Sequence, residues 1–540
     1  MFIRKVINSK GIAYLQIAET YREGSRVRQR ILFSLGRLDK LRATGEIDNI
    51  TRALSRYCER LFLVDLSKDI SVEETYVYGS VYLLSKLFER TRLRAIVEEV
   101  AGFHSEMQMP FVSSVFAMVI SRFVRPCSKL SLKSKWLDRL YPELVSEGME
   151  LHHLYRALDI LADHKDDIQK RLLYPSSQYS LFHAPKLELV FYDTTTLRFE
   201  SVRDDLGELR RFGYSKERRT DCTQVILGLM LDREGLPVGY RLFPGNTYEG
   251  KTLPVILNSL KKDYQIQRLI FVADRGMLNN GNLNEIKKAG FEFIIGMKLW
   301  SMTEKEKKKI LHLERWDYQT EYLRVADIPH PEGRLIVTWS HDRAHRDHKA
   351  RTDLLEKLKS RLQREDDPSS LITHKGFKRY LKVVSKGKVV IDDQVVREET
   401  ARDGLFGILT NVSIEELPST EIVRRYKELW KIEDAFGEIK GTLEARPMFH
   451  WTDKRIEGHM MVCFLAYYLE AYVARQLKNA NADFSAVSAF DVLNQVRAIP
   501  VSVRGKKVWV RTKIDGIAAR AMKILKIQIP SDVLRLPTRE

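Results

Sequence analysis

Residues 426–440 read YKELWKIEDAFGEIK. Good helix formers dominate and no proline interrupts them, so the stretch is expected to be one helix. Tyr426, Glu433 and Lys440 are spaced by seven and fall on nearly one face, drifting about 20° per step. Ile432 and Phe436 lie beside Glu433 and tie that face to a core. Tyr426 and Lys440 then sit about 10 Å to either side of Glu433 along the axis. Asp434 points about 100° away, toward another side, and Trp430 reads as core packing. An acid between an aromatic hydroxyl and a cation is not a site by itself. The rest of the chain has to supply acids to meet it.

Bulk composition narrows the partner. The 540 residues are too many for one core, so roughly two to four domains are expected. Hydrophobic residues at 44% and charged residues at 30% mark a globular chain and not a disordered one. Lys and Arg number 90 against 72 Asp and Glu, a net charge of +18. That balance favours a polyanion, DNA or RNA. Cys58, Cys127, Cys222 and Cys463 are scattered without CxxC spacing. They argue against a disulfide framework or a zinc site and fit a reducing cytosol. The first residues, MFIRKVINSK, hold no apolar run of signal-peptide length. The most apolar helical stretch, Met460 to Leu477, is broken by Glu470 and Arg475 and reads as a core helix, not a membrane span. A cytoplasmic protein with no membrane partner is expected.

Residues 1–40 alternate apolar and polar in three runs and read as a small β meander. From 41 to 185 apolar residues recur at three and four, as in FVSSVFAMVISRFV, which predicts a helical domain. It is basic near Arg122, Arg125, Lys129, Lys133 and Lys135, which suits DNA binding. At 186 the period changes. KLELVFYDTTTLRFE is a strand carrying Asp193, and TQVILGLMLDREGLPVGYRLFPGN is a hairpin turning at DREG. A helix at 251–262, a short buried strand RLIFVADRGM ending at Asp274, the helix NLNEIKKAG and the strand FEFIIGMK follow. The order β-β-β-α-β-α-β is that of an RNase H-like mixed-sheet core, whose first part spans 186–299. Residues 300–418 interrupt it as an inserted, mostly β-rich subdomain. The second part of the core is 419–478, and 479–540 form a C-terminal region with VRGKKVWVRTK as a basic hairpin candidate.

Three acids stand out: Asp193, Asp274 and Glu433. Each is placed to face the carboxyl end of one sheet. Hard oxygen donors without a Cys/His cluster point to Mg²⁺ or Mn²⁺. Three acids suffice for two ions about 4 Å apart, which is the arrangement for an in-line displacement at phosphorus. The segment HDRAHRDH at 341–348 has i, i+4 histidines, yet reads as a solvated basic stretch.

Several ordered motifs carry a family resemblance: YDTTT (192–196), FGYSKERR (212–219), FPGNT (243–247), ADRGM (273–277), and the opening stretch followed by LEARPMFHW (443–451). Together they resemble the DDE transposases of bacterial insertion sequences, in the IS4-like group and its IS1634-type branch. The resemblance covers about 190–470, and the N-terminal hairpins more loosely. It implies an RNase H-like catalytic core with an insertion before the third acid. Asp193, Asp274 and Glu433 match the DDE positions, and Tyr426 and Lys440 match the Tyr and Lys of the group's Y-(2)-R-(3)-E-(6)-K signature. The signature arginine is replaced by Leu429, with Arg446, Lys431 and Arg424 as possible substitutes. Arg275, Arg446, Tyr214 and Lys216 are further candidate DNA contacts.

The activity so implied is cleavage at element ends and strand transfer to target DNA, with two Mg²⁺ or Mn²⁺ ions per site. The expected partners are double-stranded terminal repeats and target DNA, and the expected assembly is a homodimer on DNA. A nuclease of the same fold without strand transfer is one alternative. A non-catalytic, transposase-derived DNA-binding protein is the other.

Overall fold

A computed structural model describes the chain apart from residues 56, 58–69, 73, 105, 107–108, 146–147, 174–187, 200–206, 214–220, 265, 267–268, 278, 364–370, 372–375, 386–387, 447, 504–505 and 536–540. It divides into two compact units. One comprises Met1–Thr75, Ile499–Arg511 and Ser531–Glu540; the other comprises Tyr76–Ala498 and Thr512–Pro530.

In the first unit the alternating runs form an antiparallel meander of β1 (Phe2–Ile7), β2 (Ala13–Glu23) and β3 (Arg26–Arg37). Its basic residues are partly engaged within it. Arg4 donates to Gln16 and Gln29, and Arg28 pairs with Glu23 at 3.0 Å. A second sheet includes β4 (Ile70–Val72).

The second unit is built on a large mixed sheet, consistent with an RNase H-like core. Short β5 (Tyr76–Val77) precedes its helices. The sheet's own strands begin with β6 (Leu189–Arg198), β7 (Gln224–Asp232), β8 (Pro237–Pro244), β9 (Ile270–Ala273) and β10 (Glu292–Met297). β6, β9 and β10 run parallel, while β7 and β8 are the antiparallel hairpin. These strands form where Val, Ile, Leu, Phe and Tyr concentrate, as buried strands require.

Side chains alternate between the two faces. Val190, Tyr192, Phe271 and Phe293 turn to a face covered by Leu257, Leu260, Leu283 and Ile286. Phe191 and Asp193 turn the other way, and the Lys431 ammonium lies 5.6 Å from the Phe191 ring. The long helix Asp453–Asn479 packs on this second side, with Phe464 5.2 Å from Tyr240 of β8. At Gly458 that helix crosses Leu151–Asp163 so closely that a Cβ would meet the Leu158 carbonyl oxygen at 2.1 Å. No single helix among the described residues is long and apolar enough to cross a membrane.

The inserted region departs from the mostly β expectation. β11 (Tyr318–Gln319), β12 (Leu323–His330), β13 (Gly333–Ser340) and the later β16 (Leu405–Thr410) do not form a sheet of their own. They extend the core sheet, whose order is β11-β12-β13-β16-β10-β9-β6-β7-β8. Between β13 and β16 lie the helix His341–Leu362, a hairpin of β14 (Leu381–Ser385) and β15 (Lys388–Ile391), and the helix Asp393–Thr400. A small core of Leu358, Leu371, Phe377 and Tyr380 holds that part together.

Candidate active site

The strand pairing brings two acids side by side. Tyr192 of β6 is opposite Ala273 of β9, and Ala273 is opposite Ile295 of β10. The next residues along these strands are Asp193, Asp274 and Gly296. Adjacent strands lie about 4.8 Å apart, so the two aspartates leave the sheet as neighbours. Asp193 is held by its strand, since the Tyr192 hydroxyl behind it donates to Thr252 Oγ1 at 2.7 Å in the core. Asp274 is exposed at the turn that follows β9.

The opening stretch is not one helix. The chain forms Ser419–Lys427, turns at Glu428–Leu429, and resumes as Trp430–Lys440. No glycine or proline marks this break. It is held by Glu428, which accepts Arg424 at 2.5 Å from the first helix and Lys431 at 2.9 Å from the second. The seven-residue alignment is therefore lost between Tyr426 and Glu433. Even so, both face one cavity of about 440 Å³, whose lining includes Asp193, Asp274, Tyr426, Leu429 and Glu433. Asp434 and Lys440 are not among its lining residues. Trp430 is not core packing either: the break leaves it 52% exposed on the cavity wall.

Tyr426 donates its hydroxyl to Asp274 Oδ1 at 3.1 Å. Burial, and then the Asp274 charge, raise its pKa far above the ordinary tyrosine value, while Arg275 and Arg343 act in the opposite sense. The phenol therefore keeps its proton and remains a donor. Gly296 makes the contact possible, because a Cβ there would stand 2.3 Å from the Tyr426 oxygen. The Tyr426 helix is fixed from the insertion. Arg334 donates to Asp327 at 2.5 and 2.9 Å, to the Val412 and Leu417 carbonyls at 3.0 and 3.1 Å, and to Ser419 Oγ at 2.8 Å.

Arg446 lies elsewhere. It lines a second cavity of about 100 Å³ with Arg122, Lys129, His450 and His459. There Lys129 is only 3% exposed and shares a 2.9 Å hydrogen bond with His459 Nδ1. Burial, followed by the Arg122 charge, brings its amine down to about 7. Burial likewise lowers His450 to about 3. Tyr214 and Lys216 lie outside the described residues.

Sequence reasoning passed over Gly296, Arg343 and Arg346. The two arginines belong to the HDRAHRDH segment that reads as solvated, yet both line the acid cavity. The available signal was position: the segment directly follows RLIVTWS, which is β13 of the core sheet.

The donor set suits a hard cation. Among the described residues no three His, Cys, Asp or Glu side chains form a ready-made ligand cluster. Mg²⁺ takes one or two carboxylates and fills its other positions with water and substrate oxygens. The neighbouring aspartates offer two such carboxylates, and Glu433 lines the same cavity.

Comparison with known proteins gives the family of the chain. Residues 184–469, more than half of the chain, match the family described as Transposase DDE domain, and the chain belongs to it. Residues 3–69 match the IS1634 family transposase N-terminal domain, which makes this an IS1634-type DDE transposase. No curated protein matches the chain significantly. Among solved structures, a cryo-EM piggyBac transposase synaptic complex with hairpin DNA aligns at 8% identity over 78% of this chain and 82% of that one, with a TM-score of 0.36.

Proposed function

We propose that this transposase cuts double-stranded DNA at the terminal repeats of an insertion element and joins the resulting 3′-hydroxyl to target DNA. The observation that carries the reading is the register of β6 and β9, which sets Asp193 beside Asp274 on a cavity that Glu433 also lines. In this reading Asp193, Asp274 and Glu433 hold two Mg²⁺ or Mn²⁺ ions. When bound, such ions activate the attacking water or hydroxyl and stabilise the leaving oxygen. Asp274 is oriented for this by the Tyr426 hydroxyl, which occupies one lone pair of Oδ1. Glu433 reaches the same space from a separate helix, so the site closes only when that helix docks on the sheet. The net charge of +18 favours DNA as the partner. A homodimer on paired element ends is the assembly that two-ended cutting requires.

The test is a nicking and strand-transfer assay on a duplex carrying the element end. Asp193→Asn, Asp274→Asn and Glu433→Gln are each expected to abolish both steps while DNA binding persists. Cleavage by the wild type without joining of pre-cut ends would reduce the protein to a nuclease. Absence of any cation-dependent nicking would leave only a DNA-binding relative.

A further inference from the structure

The geometry points to Arg343 and Arg346 as a binding site for a DNA backbone phosphodiester on the wall of the acid cavity, in place of the arginine that Leu429 displaces. This rests on the function proposed above.

Leu429 itself lines the cavity, so the chain presents an apolar side chain where a cation would have reached substrate. Among the basic residues nearest in sequence, Lys427 lines the same cavity with a single ammonium, while three others are engaged elsewhere. Arg424 is paired with Glu421 and Glu428. Lys431 donates to the Arg233 carbonyl at 2.6 Å and to Glu428 at 2.9 Å. Arg446 lines the other cavity.

Arg343 and Arg346 enter from the first two turns of His341–Leu362 and, three residues apart, share one helix face. The Arg343 guanidinium lies over Phe406 at 4.6 Å, and Phe406 is 5.2 Å from the Tyr426 ring. Tyr426 in turn donates to Asp274. The cation is thus two side chains away from a proposed metal ligand. Stacking fixes the plane of the guanidinium, and its fork of donors matches the oxygens of a phosphate. Its Nε is buried with no hydrogen-bond partner, and the paired Asp347 oxygen is 3.7 Å off. That oxygen also accepts the Gly404 N–H at 3.1 Å. Ser340, which caps this helix by accepting the Arg343 N–H at 3.3 Å, lines the same cavity, so the positive end of the helix also faces it.

The test compares Arg343→Ala/Arg346→Ala with wild type on the cognate duplex, using melting temperature to verify folding. Nicking is expected to slow at least about tenfold, as when a charge-stabilising donor is removed. The slope of log binding constant against log salt should fall by about one, for the phosphate that the arginines no longer neutralise. Adding Leu429→Arg to the double variant should recover most of the lost rate. An unchanged salt slope in the folded double variant overturns the site, whatever happens to nicking. Failure of Leu429→Arg to recover any rate overturns the replacement. The underlying function fails separately, if Asp274→Asn nicks like the wild type.

Discussion

Glu433 and Glu438 stand five residues apart on one helix and meet opposite surroundings. Glu433 is exposed and opens onto the cavity with Asp193 and Asp274. Glu438 turns toward the long helix, beside Glu470. Burial, and after it the Glu438 charge, push the Glu470 carboxyl up to about 8. A carboxyl held away from water beside another acid takes up a proton more readily. Carboxylates at an open cavity can instead recruit a cation. The same helix therefore shows an acid set against a buried acid on one side and an acid kept available on the other. What separates the two is access to solvent and ions, not residue type.

The largest effect should come from exchanging these roles. Glu433→Gln is expected to lower the nicking rate by at least about a thousandfold, the scale of losing a group that acts as part of a unit, with little change in melting temperature. Glu438→Gln should leave a folded, nicking-competent enzyme, because an amide removes the charge that stands beside Glu470. Equal loss of activity in both variants would erase the distinction.

Gly296→Val comes next. Its side chain would occupy the place of the Tyr426 hydroxyl, so stability should fall by about 1–3 kcal/mol, as overpacking costs. Nicking should fall with it, and Gly296→Val/Tyr426→Phe should regain part of the stability. Denaturant titration checks the first point, and no gain in the double variant refutes the clash.

Buried charge on the long helix and beside it gives the smaller, pH-dependent effects. Glu470 is raised from 4.5 to about 8, so its contribution is fully present below pH 4.5 and is lost as pH climbs through 8. Between those values the wild type should lose stability relative to Glu470→Gln, by at most about 1.4 kcal/mol for each step of one in pH. Lys129, lowered from 10.5 to about 7, works in reverse. Its folded state sheds the proton first, so stability rises with pH from about 7 to 10.5. Lys129→Met should flatten that rise. Parallel melting curves across pH for wild type and either variant would contradict the corresponding assignment.

Much of the core was legible because its signals are local. Asp193 and Asp274 end or interrupt short apolar runs, and such runs become buried parallel strands. The hairpin at DREG and the helix before Gly290 follow from turn and capping chemistry. The break at Glu428–Leu429 was not legible. Its sequence has good helix formers throughout, and propensity yields to tertiary ties such as Arg424–Glu428–Lys431. The docking of β12, β13 and β16 onto β10 was equally hidden, since it depends on pairing between segments far apart in the chain. That docking places Arg343 and Arg346 at the cavity, so an ordinary-looking basic helix gave no local warning of its position. The exposure of Trp430 was lost for the same reason as the break that causes it.

The register of Asp193 with Asp274 has a consequence in time. Both aspartates and their strands leave the ribosome early, while Glu433 follows about 240 residues after Asp193. At roughly 5–20 residues per second this is on the order of 10–50 s of synthesis. A chain interrupted between Asp274 and Glu433 carries the strands of both aspartates but not the third acid. In the function proposed here, incomplete translation products are harmless to the genome that encodes them.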